Sequence, residues 1–433
     1  MTTRITIIGG GSYQWAPTLL VDFANTPVLH DAEIVLEDID PAPLPRMVDL
    51  VERIAAVRGI GMTATATTDQ REALTGADYV VVNISTGGFA SMRHDLEVPA
   101  RHGIKQSVGD TVGPGGIMRA LRNIPVFLDL AADMEELCPD AWLLNLTNPM
   151  TTICRAVTRE SSLRAVGLCH EITGVQYALS RLLDVGFFDI QPTIAGVNHL
   201  PFITGLDVAG DDGFERLRTL LADDPPEHRD LLAQHRVKLE LFSRFGVLPG
   251  AGDRHLVEFF PGFLTEDSGW GERWGVALTT IEERERWQEF YAKMFEQKLT
   301  ADEYSEVPSG EMVAPVIQCR LTATEGWFPL NIPNAGQVVD LPAGVTVESI
   351  CIADGAGVRG RDQVALPPAV AECLRRVSAS QELTVEAAVT GNREAVFEAM
   401  LLDPLAGRID YDAVQAMADE MIEATGAWLP QFA

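Results

Sequence analysis

The sequence predicts an α/β protein, a Rossmann-type doubly wound parallel sheet followed by a second α+β domain. Three observations predict it. An apolar run at residues 5–8 breaks at Gly9, Gly10 and Gly11 and leads into a helical stretch at about 17–25, the order of strand, glycine turn and helix that a phosphate-binding turn requires. Continuous apolar runs then recur with helical segments between them, as parallel strands covered on both faces do. After about residue 195 longer helical stretches take over, which places the division at 1–195 and 196–433.

In chain order, the strand at 5–8 is followed by one at 33–36, which stops at the acidic stretch EDID. An acid at the tip of a second strand is where a dinucleotide fold holds ribose hydroxyls. Further strands are expected at 79–84, 142–146 and 165–169. Ligands of such sheets collect at the carboxyl ends of the strands. The tips here are the glycine turn, Asp38, residues 83–88, residues 145–148 and the pair Cys169 and His170. Beyond 195, helices are expected at 213–243 and 281–298, an exposed loop at 222–228, and strands near 315–322 and 335–352.

Subtracting 62 acidic from 33 basic residues gives a formal charge of −29. Such a surface repels phosphate backbones and anionic membranes, so neither nucleic acid nor a membrane is an expected partner. The six cysteines, at 138, 154, 169, 319, 351 and 373, are scattered rather than set in a disulfide framework, which fits a reducing compartment. With no leader pattern or long apolar run, a cytoplasmic protein is expected.

The glycine turn departs from a clean G-x-G-x-x-G because Gln14 takes the third position. With Asp38 or Asp40 at the second strand tip it still reads as a dinucleotide seat, favouring NAD because nothing basic stands ready for a 2′-phosphate. Gly9, Gly10, Gly11, Ser12, Tyr13, Asp38 and Asn83 are the cofactor-binding candidates. Cys169 and His199 lie too far apart in sequence to form a metal signature by spacing. A lone buried cysteine is ordinarily a small hydrophobe, and a lone histidine a satisfied core residue. Position singles them out, since Cys169 ends a parallel strand and His199 follows Asn198 just before an apolar strand. The stretch VGDTVGPGGIMRALRNIP at 108–125 puts Asp110, the glycines at 113, 115 and 116 and an arginine pair in a loop entering a helix.

Together, ITIIGGGSY, GADYVVVNISTGG, GDTVGPGGIMRALRNIP, NLTNPM, GLCHEITG, GVNHL and NIPNAGQVVDLP resemble glycoside hydrolase family 4, the NAD-dependent, divalent-metal-requiring glycosidases, and stand in that family's order. The resemblance implies hydrolysis through transient oxidation at C3 of the sugar, loss of the C2 proton, elimination of the aglycone from C1, water addition and return of the hydride. These enzymes lie outside the two-carboxylate scheme of other glycosidases. It further implies Cys169 and His199 as ligands of a divalent metal, Mn²⁺ foremost. Asn148 becomes a sugar-hydroxyl contact, and Asp110 the acidic group beside the glycosidic oxygen. Arg93, His170 and Asn198 are further substrate-contact candidates, and a homodimer or homotetramer is expected.

One departure matters. Where the family carries a tyrosine as C2 base, residues 245–263 contain none, and Phe259 or His255 takes the position according to alignment. His255 or Asp253 is therefore the candidate base, histidine being better matched to neutral pH. GLCHEITG is closer to the branch acting on unphosphorylated α-glycosides and α-glycosiduronides, and Arg254 is a candidate for a sugar carboxylate because its planar fork fits that geometry. The alternative is an NAD-dependent sugar or hydroxyacid dehydrogenase with net redox turnover.

Overall fold

The computed structural model describes residues 2–433. Six strands make the parallel part of the sheet: β1 (Arg4–Ile8), β2 (Glu33–Glu37), β3 (Thr63–Thr67), β4 (Tyr79–Val82), β5 (Trp142–Asn145) and β6 (Arg164–Leu168). Their spatial order is 3-2-1-4-5-6, that of a dinucleotide-binding sheet with its switch point between β1 and β4. β4 and β5 are buried at every residue, which is why they read as unbroken apolar runs. β3, a polar TATAT edge strand, gave no such signal.

The sheet does not end at β6. It continues antiparallel through β11 (Gly326–Pro333), β12 (Thr346–Asp354), β7 (Ile190–Val197), β8 (Leu200–Val208) and the short β10 (Leu248–Pro249). β9 (Asp211–Asp212) and β13 (Gly357–Gly360) are side pairings on β8 and β12. β7 crosses position 195, so the two halves of the chain share one sheet. In register, Gly167 of β6 faces Asn331 of β11, Asn331 faces Glu348 of β12, and Glu348 faces Gly196 of β7. That row crosses β11 and β12 to link β6 with β7, the strands that precede Cys169 and His199.

The expected strand at 315–322 is a helix, Val313–Thr322. Its β-branched, apolar composition suits a strand and a buried helix alike, and Pro315 is tolerated because it falls in the first turn. Of the expected strand at 335–352 only the part from Thr346 forms; residues 335–345 are a loop closed by Asn334, whose side-chain N–H donates to the carbonyls of Val338 and Leu341 at 2.9 and 3.0 Å. Residues 213–243 form helices Gly213–Asp223 and Arg236–Phe245, with shorter turns over the largely exposed 222–228 stretch. The long helix Gly113–Leu137 starts immediately after the Asp110 loop and packs on the C-terminal helix Pro368–Thr390.

Candidate active site

At the end of β1 the amides of Gly9 and Gly10 donate to the Glu37 carbonyl at the tip of β2, at 2.9 and 2.7 Å. The Gly11 amide donates to Asp38 Oδ2 at 3.0 Å. Gly9 has φ +85°, and a Cβ there would stand 2.1 Å from the Asn83 carbonyl oxygen; the turn admits only glycine. Ser12 Oγ accepts from the Trp15 amide at 3.3 Å, and the Tyr13 ring packs 4.9 Å from that of Phe295. The helix Ala16–Ala24 follows, presenting its positive dipole end. Asp38 thus lies against the turn. Glu37 is buried, and burial followed by the Asp38 charge pushes its carboxyl to about 7.

The other half of the site comes from three elements. β7 and β8 are joined by a two-residue turn of Asn198 and His199, with Val197 paired to Leu200. His199 adopts φ +63°, uncommon outside glycine and characteristic of functional turns. Asp110 leads into the helix Gly113–Leu137, and His255 lies on the helix Asp253–Phe259. One ligand atom from each of Asp110, His199 and His255 lies within 4.8 Å of the others. The two imidazole rings are 3.8 Å apart between centroids.

Electrostatics assigns the hydrogens in this group. Burial works to raise the Asp110 carboxyl, but His255, Arg119 and His199 outweigh it and hold it at about 2. An ionised carboxylate only accepts, so the Thr111 hydroxyl donates to Asp110 Oδ1 at 2.7 Å. The same Thr111 oxygen lies 2.8 Å from His199 Nδ1 and must accept from it. His199 is kept neutral, at about 3, by burial and then by His255. Its proton therefore resides on Nδ1 and its Nε2 lone pair is free, the arrangement of a metal-ligating histidine.

Cys169 is buried just past the end of β6. Burial first, then the Glu348 and Glu171 charges, push its thiol well above the usual range. A cation would reverse that balance by favouring the thiolate. His170 projects toward solvent, with Nδ1 2.9 Å from Glu311 Oε1 and its ring 6.1 Å from that of Trp15, between the glycine turn and the buried group. Asn198 donates through Nδ2 to Glu348 Oε2 at 3.2 Å, which leaves its Oδ1 buried and unpartnered. Asn148 Oδ1 is likewise buried without a partner, and its backbone carbonyl accepts from Arg119 Nε and Asn123 Nδ2 at 3.0 and 3.1 Å.

Three candidates are placed elsewhere. Asp253 accepts the amides of Val237 and Lys238 at 2.8 and 3.0 Å; both its oxygens are taken up in capping the helix Arg236–Phe245, so it is no base. The Arg254 guanidinium donates to the Ser107 carbonyl at 2.8 Å and to Thr279 Oγ1 at 2.7 Å. Its Nη2 is engaged within the protein while Nε is buried without a partner. Arg93 pairs with Glu97 at 3.0 Å and lies 3.8 Å from Glu282, on the surface. Two residues were missed: Arg119, one of the arginine pair, and Glu171, whose Oε1 is 3.9 Å from His255 Nε2 and whose Oε2 accepts the Gly252 amide at 2.6 Å. Burial opposes ionisation of Glu171, but His255 and His199 hold it at about 2. The signal was its place directly after Cys169 and His170, in the first turn of a helix.

These residues fit a divalent cation and a dinucleotide. His199 offers a free nitrogen, His255 Nδ1 and the Asn148 and Asn198 oxygens are buried without partners, and the glycine turn leaves room only for a close-lying ligand.

Comparison with family models matches residues 4–185 to the Family 4 glycosyl hydrolase and residues 194–406 to the Family 4 glycosyl hydrolase C-terminal domain. The chain is 32% identical to an alpha-galactosidase of Bacillus subtilis, over 99% of both chains. It is 32% identical to an alpha-galacturonidase of Lachnoclostridium phytofermentans, over 99% of this chain and 97% of that one. The fold is shared with the crystal structure of a 6-phospho-alpha-glucosidase from gut microorganisms in complex with NAD and Mn²⁺, at a TM-score of 0.82 and 21% identity over the full length of both.

Proposed function

The chain belongs to glycosyl hydrolase family 4, and from that membership we propose that it is an NAD- and divalent-metal-dependent glycosidase acting on α-glycosides of galacto, gluco or uronide type. The observation that carries the reading is the convergence of Asp110, His199 and His255 beyond the end of β7. When bound, NAD takes up and returns the hydride of sugar C3, and the cation, Mn²⁺ by family, draws electron density from the C2 and C3 oxygens.

The protein's own groups do the rest. Gly9, Gly10 and Gly11 with the following helix receive the pyrophosphate, and Asp38 the ribose hydroxyls. Cys169 and His199 hold the cation. Asn148 and Asn198 turn their unpartnered oxygens to sugar hydroxyls, which fixes the ring against the reacting groups. His255 removes the proton from C2, and the ionised Glu171 beside it stabilises the imidazolium that forms. Asp110, also ionised, faces the glycosidic oxygen and shares in neutralising that positive charge. Arg119 keeps Asp110 charged and ties down the Asn148 backbone.

The division at about 195 is proposed as functional rather than structural, with the cofactor held by 1–195 and the base and part of the metal site supplied by 196–433. A homodimer or homotetramer is supported by the helix Ile281–Leu299, where Trp287, Phe290 and Met294 stand 42%, 56% and 37% exposed at helical spacing. Among the described residues no helix is long and apolar enough to cross a membrane, and the six cysteines are free, in keeping with a cytoplasmic setting.

The test is a screen of nitrophenyl α-glycosides and α-glycosiduronides with and without NAD and Mn²⁺, with the active reaction repeated in D₂O. Hydrolysis requiring both additives and leaving deuterium at C2 of the released sugar is expected, because the abstracted proton exchanges with solvent. A direct displacement never breaks the C2–H bond. Accumulation of stoichiometric NADH with a ketone product would instead identify a dehydrogenase.

A further inference from the structure

Glu258 is fully buried and takes no part in the chemistry above, yet the amides of Val108 and Gly109 both end on its Oε1, at 2.8 and 3.0 Å. We propose that Glu258 is a positioning residue that straps the loop carrying Asp110 to the helix carrying His255, and so sets the separation of those two groups. The inference rests on the reading of both as reacting groups.

The geometry is specific. His255 and Glu258 are three residues apart on the helix Asp253–Phe259, hence neighbours on its surface. The two amides that Glu258 receives belong to the residues immediately before Asp110. Neither lies in a helix or strand, so the carboxylate supplies the partner that secondary structure does not. The adjacent residue is stitched to the same helix: Ser107 Oγ donates to the Arg254 carbonyl, and Arg254 Nη2 donates back to the Ser107 carbonyl at 2.8 Å. On its far side the loop is held independently, where the Gly113 amide donates to Asp403 Oδ2 at 2.8 Å. Asp110 is thus suspended between two anchors, and the side made by Glu258, with Arg254 beside it, belongs to the helix that carries His255.

The second oxygen of Glu258 is buried without a partner. Burial pushes its carboxyl up to about 8 against the two amides. Glutamine, neutral and of the same shape, is therefore the conservative replacement, since it keeps the one oxygen that both amides use.

The experiment compares wild type with Glu258→Gln, Glu258→Ala and Glu258→Asp in the NAD- and Mn²⁺-loaded enzyme. It reads amide exchange at Val108 and Gly109, and kcat and KM on whichever nitrophenyl α-glycoside the wild type hydrolyses. Glu258→Ala is expected to speed exchange at these two amides at least about tenfold without loosening β1 or β4. It should lower kcat about 10²-fold, the usual consequence of a misplacement near 1 Å, and leave KM and NAD affinity within about threefold. Glu258→Gln should restore both exchange protection and kcat. Should the alanine variant not fold, Glu258→Asp, which withdraws the oxygen by one carbon, is expected to show the same pattern in weaker form. Unchanged exchange at the two amides, or normal kcat despite faster exchange, overturns the proposal. So does a glutamine variant that keeps the amides protected but is as slow as alanine. If the wild type hydrolyses none of the glycosides, the functional reading fails, and exchange at Val108 and Gly109 decides by itself whether the strap exists.

Discussion

At Thr111 a single hydroxyl decides which nitrogen of His199 is free. It donates to Asp110 and accepts from His199 Nδ1, so Thr111→Val removes the acceptor that holds the tautomer while keeping the shape. Loss of such a partner typically weakens metal binding about 10–100-fold, and Mn²⁺ titration followed by electron paramagnetic resonance should show a shift of that size. Cys169→Ser and His199→Ala are expected to abolish hydrolysis while leaving NAD binding nearly intact, because the role proposed for them is to hold the cation and not the dinucleotide. Full activity in either variant removes the metal assignment. Asp38→Ala should weaken NAD binding with little change in turnover at saturating cofactor, since a charge-assisted bond contributes about 1.5–3 kcal/mol; an unchanged NAD dissociation constant would dismiss the role. The sequence singled out Cys169, His199, Asn148 and Asp110 through motifs that combine rare residue types, and Asp110 and His199 do converge. Glu171, Arg119 and Glu258 were not, because a charged residue in an amphipathic helix looks the same from sequence whether it faces solvent or a buried site. Asp253 misled for the same reason, as an acid at a helix start reads as a base until its two amide partners are known.

Among the elements, the five central parallel strands were read to within a residue or two because burial on both faces gives each an unbroken apolar run. β3 and β11 were not, the first being a polar edge and the second carrying two prolines and an asparagine. The continuation of the sheet past β6 depends on pairings between residues some 160 positions apart, such as Gly167 with Asn331, which no local pattern encodes. Helix-to-helix fastening was equally invisible. Arg122, the second of the arginine pair, is 1% exposed and makes a two-pronged contact with Asp95, 0% exposed, at 2.8 and 2.5 Å. That pair locks the helix Gly88–Arg101 to the helix Gly113–Leu137 beneath the Asp110 loop. Asp95→Ala strands a buried guanidinium and is expected to cost about 3–5 kcal/mol, measurable as a shift in the urea midpoint. A change below about 1 kcal/mol would mean that water reaches the site and the pair is only a surface bridge.

For the molecule as a whole, the distribution of perturbed groups makes stability fall toward alkaline pH. Burial raises Glu258 and Glu348 to about 8 and Glu37 to about 7. Through the interval from the unfolded carboxyl value up to those values, the native chain keeps protons that the unfolded chain has released. Stability therefore declines as pH rises. His199 and His235, lowered by burial to about 3 and about 4, act oppositely, because there the unfolded chain holds the extra proton, but only below about 6.5. Asp110 and Glu171, both held at about 2, add stability already complete near neutrality and lost only in strong acid. Above pH 6.5 the histidines no longer oppose the raised glutamates, and between 7 and 8 Glu258 and Glu348 are the carboxyls that still hold protons. The net charge of −29 adds self-repulsion in the same direction. Thermal midpoints of the protein in chelator, without added cofactor, are thus expected to fall steadily from pH 6.5 to 8. Glu348→Gln, which replaces a proton-holding acid by its neutral isostere, should remove about half of the slope between pH 7 and 8. A midpoint that rises over this range, or a slope untouched by the substitution, would show that these carboxyls are ionised in the native state and that charged partners or water, rather than burial, set their titration.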